Sequence, residues 1–263
     1  MPSASIGDAD LYYEETGAGP PLLLVPGLGG QGSFWISQVP LFSRHFRTVV
    51  HDHRGTGRSS HSRITYSIEQ MADDVLRLMD QLGIDAAHFV GHSTGGAIGQ
   101  VIALDHPERL RSLVLSATWA GPDPFFRRLF ESRRQTLVDS GIEAYLRASS
   151  LVQTTPRWIS QNDEFLTDLH RIQAAAAPPV EILLSRIDAI VNHDRRSRLL
   201  EIRLPTLVIV AEDDMITPRF YSDELAARIP GAKLIVLETG GHYVPVINSE
   251  PYNAAVASFL RSL

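Results

Sequence analysis

The sequence predicts an α/β protein: a mostly parallel, eight-stranded sheet with helices on both faces and a helical cap inserted in the second half of the chain. Three observations carry that expectation. Short unbroken apolar runs, such as Leu22-Leu23-Leu24-Val25 and Leu207-Val208-Ile209-Val210, alternate with stretches of helical periodicity, and strands of that composition belong to sheets covered on both faces. The alternation lapses over residues 119–200, where no strand-like run occurs, and then resumes. Between them, Gly91-His92-Ser93-Thr94-Gly95 joins an apolar run to a helical segment, so that a sharp strand-to-helix turn carries a serine at its apex. The chain is accordingly divided into a core, residues 1–118 and 201–263, and a cap, residues 119–200.

Taken in order, residues 3–6 and 11–15 read as an edge hairpin around Gly7-Asp8. Residues 22–25 form a buried strand that Pro26-Gly27-Leu28-Gly29-Gly30 ends abruptly, and a helix is expected over 34–42. The next strand, 48–51, runs into the polar loop Asp52-His53-Arg54-Gly55-Thr56-Gly57-Arg58-Ser59. Ser67 and Gln70 can form a capping box ahead of Ile68, Met71, Val75, Met79 and Leu82, whose spacing by three and four marks one apolar face until Gly83 ends the helix. A strand over 87–90, the serine turn, a helix to about 106 and a strand over 113–115 follow. Within the cap, Gly141, Thr154-Thr155-Pro156 and Pro178-Pro179 separate several helices. The core resumes with the 207–210 strand, a helix opened by Thr217-Pro218, a strand over 234–237 and a terminal helix over about 250–260.

Composition removes whole classes of function. A net charge of −6 supplies no basic footprint for nucleic acid, and the lack of cysteine rules out a thiol nucleophile, a disulfide scaffold and Cys-ligated zinc. No apolar run approaches the ~20 residues of a membrane span, and residues 1–10 lack the basic-then-apolar pattern of a secretory signal. The expectation is a cytoplasmic protein acting on a small-molecule substrate, without nucleic-acid or membrane partners; a homodimer is left open.

A serine hydroxyl is a weak nucleophile by itself, so the turn calls for a base, an acid to orient that base, and donors for an oxyanion. A serine at such a turn sits at the carboxyl edge of the sheet, and its partners should follow other strands. Asp213 and Asp214 follow the 207–210 strand, and His242, in Gly240-Gly241-His242, follows the 234–237 strand. The aspartate pair also suits helix capping before Pro218. The oxyanion donors are expected to be the backbone N–H of Thr94, next to the nucleophile, and of Leu28, where Gly27 and Gly29 permit close approach. In the cap, Trp119, Phe125, Phe126 and Trp158 are candidate pocket walls, with cap-to-core packing as the alternative for each. Arg127, Arg128, Arg133 and Arg134 either meet an acidic substrate or form a solvated helix face.

With these residues in view, the chain resembles the α/β-hydrolase superfamily over essentially its whole length. The order Ser, Asp, His is that superfamily's, and the loop from Asp52 to Ser59 is similar to its Asp-x-Arg-Gly-x-Gly-x-Ser signature. Its pattern, with the acid four residues before Pro218, implies Asp214 and leaves Asp213 as the fallback. Gly27-Leu28-Gly29-Gly30, Arg54-Gly55-Thr56-Gly57, Tyr66-Ser67-Ile68-Glu69-Gln70-Met71-Ala72 and Gly240-Gly241-His242 most resemble the aminoacrylate (carbamate) hydrolases of pyrimidine degradation. The 3-oxoadipate enol-lactonases are similar too; Pro26-Gly27 stands where many superfamily members have His-Gly.

The resemblance implies a serine hydrolase of carboxylesterase, lactonase or amidohydrolase type. It would cleave an ester, lactone or activated amide or carbamate through an acyl-serine, with Ser93 as nucleophile, His242 as base, Asp214 as orienting acid and no metal or organic cofactor. Activity is then expected to fall as acidification protonates the base. Cofactor-free perhydrolase or haloperoxidase chemistry is one alternative; a non-catalytic small-molecule receptor that retains the triad is another.

Two further patterns compete. Gly27-Leu28-Gly29-Gly30-Gln31-Gly32 matches Gly-x-Gly-x-x-Gly after a strand, with Asp52 at dinucleotide-site spacing beyond it. The preceding hairpin, Pro40 in the next segment and an otherwise unexplained Ser93, Asp214 and His242 weigh against that reading. His51 and His53 share one face of an extended segment, but no third ligand comes at metal spacing. His88 and His92, flanking the turn, read as buried and hydrogen-bonded.

Overall fold

The computed structural model describes residues 2–263. Eight strands, β1 (Ser3–Ser5), β2 (Asp10–Thr16), β3 (Pro21–Val25), β4 (Arg47–His51), β5 (Ala87–His92), β6 (Leu110–Ser116), β7 (Thr206–Ala211) and β8 (Lys233–Leu237), form one sheet in the order β1-β2-β4-β3-β5-β6-β7-β8. β2 is antiparallel to both β1 and β4, and every other pairing is parallel. The apolar runs of β3 to β7 are thus the central strands, with the polar N-terminal hairpin at one edge and the partly buried β8 at the other.

Alternation along each strand feeds two cores. In β3, Leu23 and Val25 point into a cluster with α2 (Ile68–Gln81) and α3 (Thr94–Asp105). Leu22 and Leu24 point the other way, onto Trp35, Phe42 and the terminal helix. Helix α2 begins as expected, with Ser67 Oγ accepting from Gln70 N at 3.0 Å. The reciprocal half of the capping box is missing, because the Gln70 side chain donates instead to Asp74 at 2.6 Å. The helix expected over 34–42 is two short pieces, a 3₁₀ turn at Gly32–Trp35 and α1 (Val39–Phe42). Pro40 explains the break: it lacks an N–H for a continuous helix and its ring would clash with the carbonyl four residues earlier, so it sits in the first turn of a new helix.

Four helices lie between β6 and β7: α4 (Pro124–Gln153), α5 (Pro156–Gln161), α6 (Asp163–Ala175) and α7 (Val180–Asn192). Gly141 interrupts α4 with φ 77° and ψ −177°, at the position where the sequence placed a separator. After β7 come α8 (Arg219–Arg228), and after β8 the short α9 (Val244–Ile247) and α10 (Ser249–Arg261). No helix among the described residues is long and apolar enough to cross a membrane.

The signature loop after β4 is held by a buried ion pair. Arg54 donates to Asp74 through Nε (3.0 Å) and Nη2 (2.7 Å) and to the exposed Asp8 at 2.8 Å. Arg54→Met is expected to lower the unfolding free energy by about 3–5 kcal/mol, because it strands the Asp74 carboxylate in the interior; urea titration measures this. A second expectation concerns acid. Burial holds the rings of His51 and His193 down to about 4, and those of His53 and His92 well below their ordinary value. From about pH 6.5 down to about 4 the unfolded chain binds protons that these rings refuse. Stability therefore rises with pH across that window and is lost on acidification, so urea midpoints should begin falling near pH 6.5 rather than in the carboxylate range.

Candidate active site

Ser93 occupies the junction of β5 and α3 with φ 53° and ψ −115°, a backbone region that costs a non-glycine residue free energy. Its N–H donates to the Ser116 carbonyl (2.8 Å), and its carbonyl accepts from Thr118 Oγ1 (2.8 Å) and Gly96 N (2.8 Å). Those bonds, from the adjacent strand end and the helix start, hold the strained turn. The flanking glycines are required by close backbone approach: a Cβ on Gly91 would run into the Gly95 carbonyl, and one on Gly95 into the Val25 carbonyl. The loop after β3 closes on the same point, since a Cβ on Gly27 would lie 3.2 Å from that of Ser93.

Asp214, in the turn after β7, is buried and its carboxylate is saturated with donors. Oδ1 accepts from the N–H of Ile216 (2.8 Å) and Thr217 (2.9 Å), and Oδ2 accepts from Thr217 Oγ1 (2.9 Å). His242 Nδ1 lies 2.9 Å from Oδ2 and 3.1 Å from Oδ1. A carboxylate only accepts, so Nδ1 is the donor in this pair, and in the neutral ring the lone pair then belongs to Nε2. The His242 ring centroid is 4.9 Å from that of His92, the neighbour of Ser93. Among the described residues no hydrogen bond closes between Ser93 Oγ and His242; such contacts commonly tighten only when substrate binds.

The aspartate left as a fallback has a different task. Asp213 accepts from Thr239 Oγ1 (2.6 Å) and from Gly241 N (2.8 Å), so it ties down the loop that presents His242. Neither the Leu28 nor the Thr94 N–H has an acceptor among the described residues, which leaves both available at the turn.

The cap residues fall out unevenly. Trp119 and Phe126 lie against each other inside the main core, with centroids 4.8 Å apart and ring planes tilted by 34°, at 1% and 0% exposure. Their burial is that of the packing alternative named for them. Phe125 is exposed, and Trp158 is half-buried with its ring edge-on to Phe165. Arg127, Arg128 and Arg134 line a cleft of about 720 Å³ whose walls include none of Ser93, Asp214 and His242. Arg133 instead turns inward, to Tyr145 Oη (2.8 Å) and Ser149 Oγ (3.3 Å).

The competing patterns have structural explanations. The buried Asp52 carboxylate accepts from Gly32 N (2.9 Å) and Arg58 N (3.0 Å), tethering two loops rather than facing a ribose. His51 and His53 stand 5.1 Å apart between centroids, and among the described residues no three metal-ligating side chains gather. His88 and His92 bond to Ser112 Oγ (2.8 Å) and Ser116 Oγ (3.2 Å) through Nδ1.

Comparison with known proteins agrees with this geometry. Residues 20–248 match the family model for the alpha/beta hydrolase fold. The chain is 41% identical, over 98% of both chains, to the Azorhizobium caulinodans protein RutD, named as a carbamate hydrolase. Among solved structures it is similar to the enol-lactonase from Burkholderia xenovorans LB400 (TM-score 0.91, 29% identity, covering 99% of this chain and 100% of that one). It is also similar to Est816, an N-acyl homoserine lactone degrading enzyme (TM-score 0.87, 27% identity, 98% and 100%). With its sheet order, its serine turn and a match spanning most of its length, the chain belongs to the alpha/beta hydrolase fold family and is a hydrolase.

Proposed function

We propose that the protein cleaves the ester, lactone or carbamate carbonyl of a small metabolite through an acyl-serine intermediate, with residues 119–200 acting as a cap over the site. The observation that carries the reading is the His242–Asp214 pair, whose hydrogen bond leaves the Nε2 lone pair as a base at the sheet edge where Ser93 turns. His242 takes the Ser93 proton as Oγ attacks the carbonyl. The Leu28 and Thr94 N–H groups receive the oxyanion. The proton passes to the leaving group, the acyl-serine remains, and His242 then activates water to release the acid and restore Ser93. Identity with RutD over nearly the whole chain favours a carbamate, and the fold shared with the two lactone-cleaving enzymes favours a lactone.

The test is a hydrolysis panel of short and long acyl p-nitrophenyl esters, enol-lactones, carbamate and small amides, run beside Ser93→Ala. Preference for short acyl groups and carbamate or lactone supports the proposal. Saturable binding without turnover would indicate a receptor, and halogenation that depends on added peroxide and carboxylate would indicate perhydrolase chemistry.

A further inference from the structure

Arg186 of α7 is fully buried and its guanidinium meets no carboxylate. Nη1 donates to the Arg54 carbonyl (2.9 Å), Nη2 donates to the Leu28 carbonyl (3.1 Å), and Nη2 also lies 3.1 Å from His53 Nδ1. His53, kept neutral by burial, presents a lone pair there. The arginine is itself lowered to about 10 by burial and remains charged at neutral pH. A cation enclosed by neutral acceptors is costly to bury. The placement of those acceptors points to a use for it.

Among the carbonyls of the loop after β3, that of Gly27 accepts Gly30 N (3.0 Å), and that of Gly30 accepts His53 N (2.7 Å) and Thr56 Oγ1 (2.9 Å). The Leu28 carbonyl is held by Arg186 alone. Gly29 beside it is exposed, with open space where a Cβ would stand. Gly30 is thus tied to the loop after β4, whereas the Leu28–Gly29 tip, beyond the packing of the Leu28 side chain, has one hydrogen bond outside its own turn, and that bond comes from the helical insertion. Resting on the function proposed above, we infer that Arg186 is a positioning residue for the oxyanion hole, fixing Leu28 so that its N–H meets the oxyanion formed at Ser93. Such donors act only when held within about 0.5 Å of the productive geometry.

Arg186→Lys and Arg186→Met, each counted by fluorophosphonate titration of the serine, are compared with wild type on a short acyl p-nitrophenyl ester and for inhibition by a boronic acid. The boronate forms a tetrahedral, anionic adduct that draws on the same donors as the transition state. Arg186→Met is expected to lower kcat per titrated site about 10- to 100-fold, to leave KM within ~3-fold, and to weaken boronate inhibition in step with kcat. Lysine keeps the charge but cannot fork to both carbonyls, so its loss should be intermediate. A folded variant whose kcat and boronate affinity stay within about twofold of wild type overturns the inference. So does failure of both variants to fold, which would make Arg186 a fold residue; if only methionine fails, lysine decides. Turnover that survives Ser93→Ala refutes the serine mechanism instead, independently of Arg186.

Discussion

Ser93→Ala is expected to lower kcat on the order of a million-fold while the fold survives, the scale seen when the serine of such a triad is removed. Survival follows from how the turn is held. Its bonds to Ser116 and Thr118 use the Ser93 backbone, not its hydroxyl, and alanine keeps the same Cβ in the same strained conformation. Thermal unfolding should therefore be nearly unchanged, which separates lost chemistry from lost structure. Steady-state kinetics with circular-dichroism melting makes the comparison; a variant that retains even a hundredth of wild-type turnover would remove Ser93 from the mechanism.

Asp214→Asn should cost about 10⁴-fold in kcat. The amide oxygen can keep the two backbone N–H bonds at the Oδ1 position, and Thr217 can reverse its hydroxyl to accept. The amide nitrogen then faces His242 Nδ1 as a donor and forces the ring proton to Nε2, the atom that the proposed mechanism needs free to take a proton from Ser93. Asp213→Asn keeps an acceptor toward Thr239 or Gly241, so a loss of only about tenfold is expected, through looser placement of the His242 loop. Equal losses in the two variants would reverse the assignment of the acid.

The parts of this site that the chain announces are those whose chemistry restricts residue type. A serine between glycines, an aspartate after one strand and a histidine after the next are hard to satisfy otherwise, and the apolar runs before them fixed which edge of the sheet they share. Roles that depend on tertiary neighbours were not legible. Asp213 and Asp214 are adjacent identical residues: the superfamily's pattern favours Asp214 as the partner of the histidine, but that Asp213 holds Gly241 is seen only in the folded loop. Asp52 has the spacing of a ribose ligand because the two loops it joins happen to follow consecutive buried strands. Trp119 and Phe126 suit a pocket wall and cap-to-core packing equally by composition, and only the fold shows them buried against each other in the main core. Arg186 belongs to no motif in the sequence, and its bond to the Leu28 carbonyl exists only once its helix packs on the loop after β3.

The helical insertion leaves β6 and re-enters at β7, and these strands are in-register neighbours, Leu113 opposite Thr206. Topologically it is a long excursion between adjacent anchor points, and closing such an excursion costs only ~0.6 kcal/mol more for each doubling of its length. Chain closure therefore sets little limit on its length, but its contents are tied to the sheet, because Trp119, Phe126 and Ile187 pack in one core with Leu23, Phe89 and Leu113. A transplanted excursion would have to refill that core and replace the Gln153 carbonyl, which accepts from Tyr243 N (2.9 Å) next to His242. The graft would also have to bring its own grip on Leu28, because the chain would otherwise carry a complete set of reactive side chains around a slack oxyanion loop.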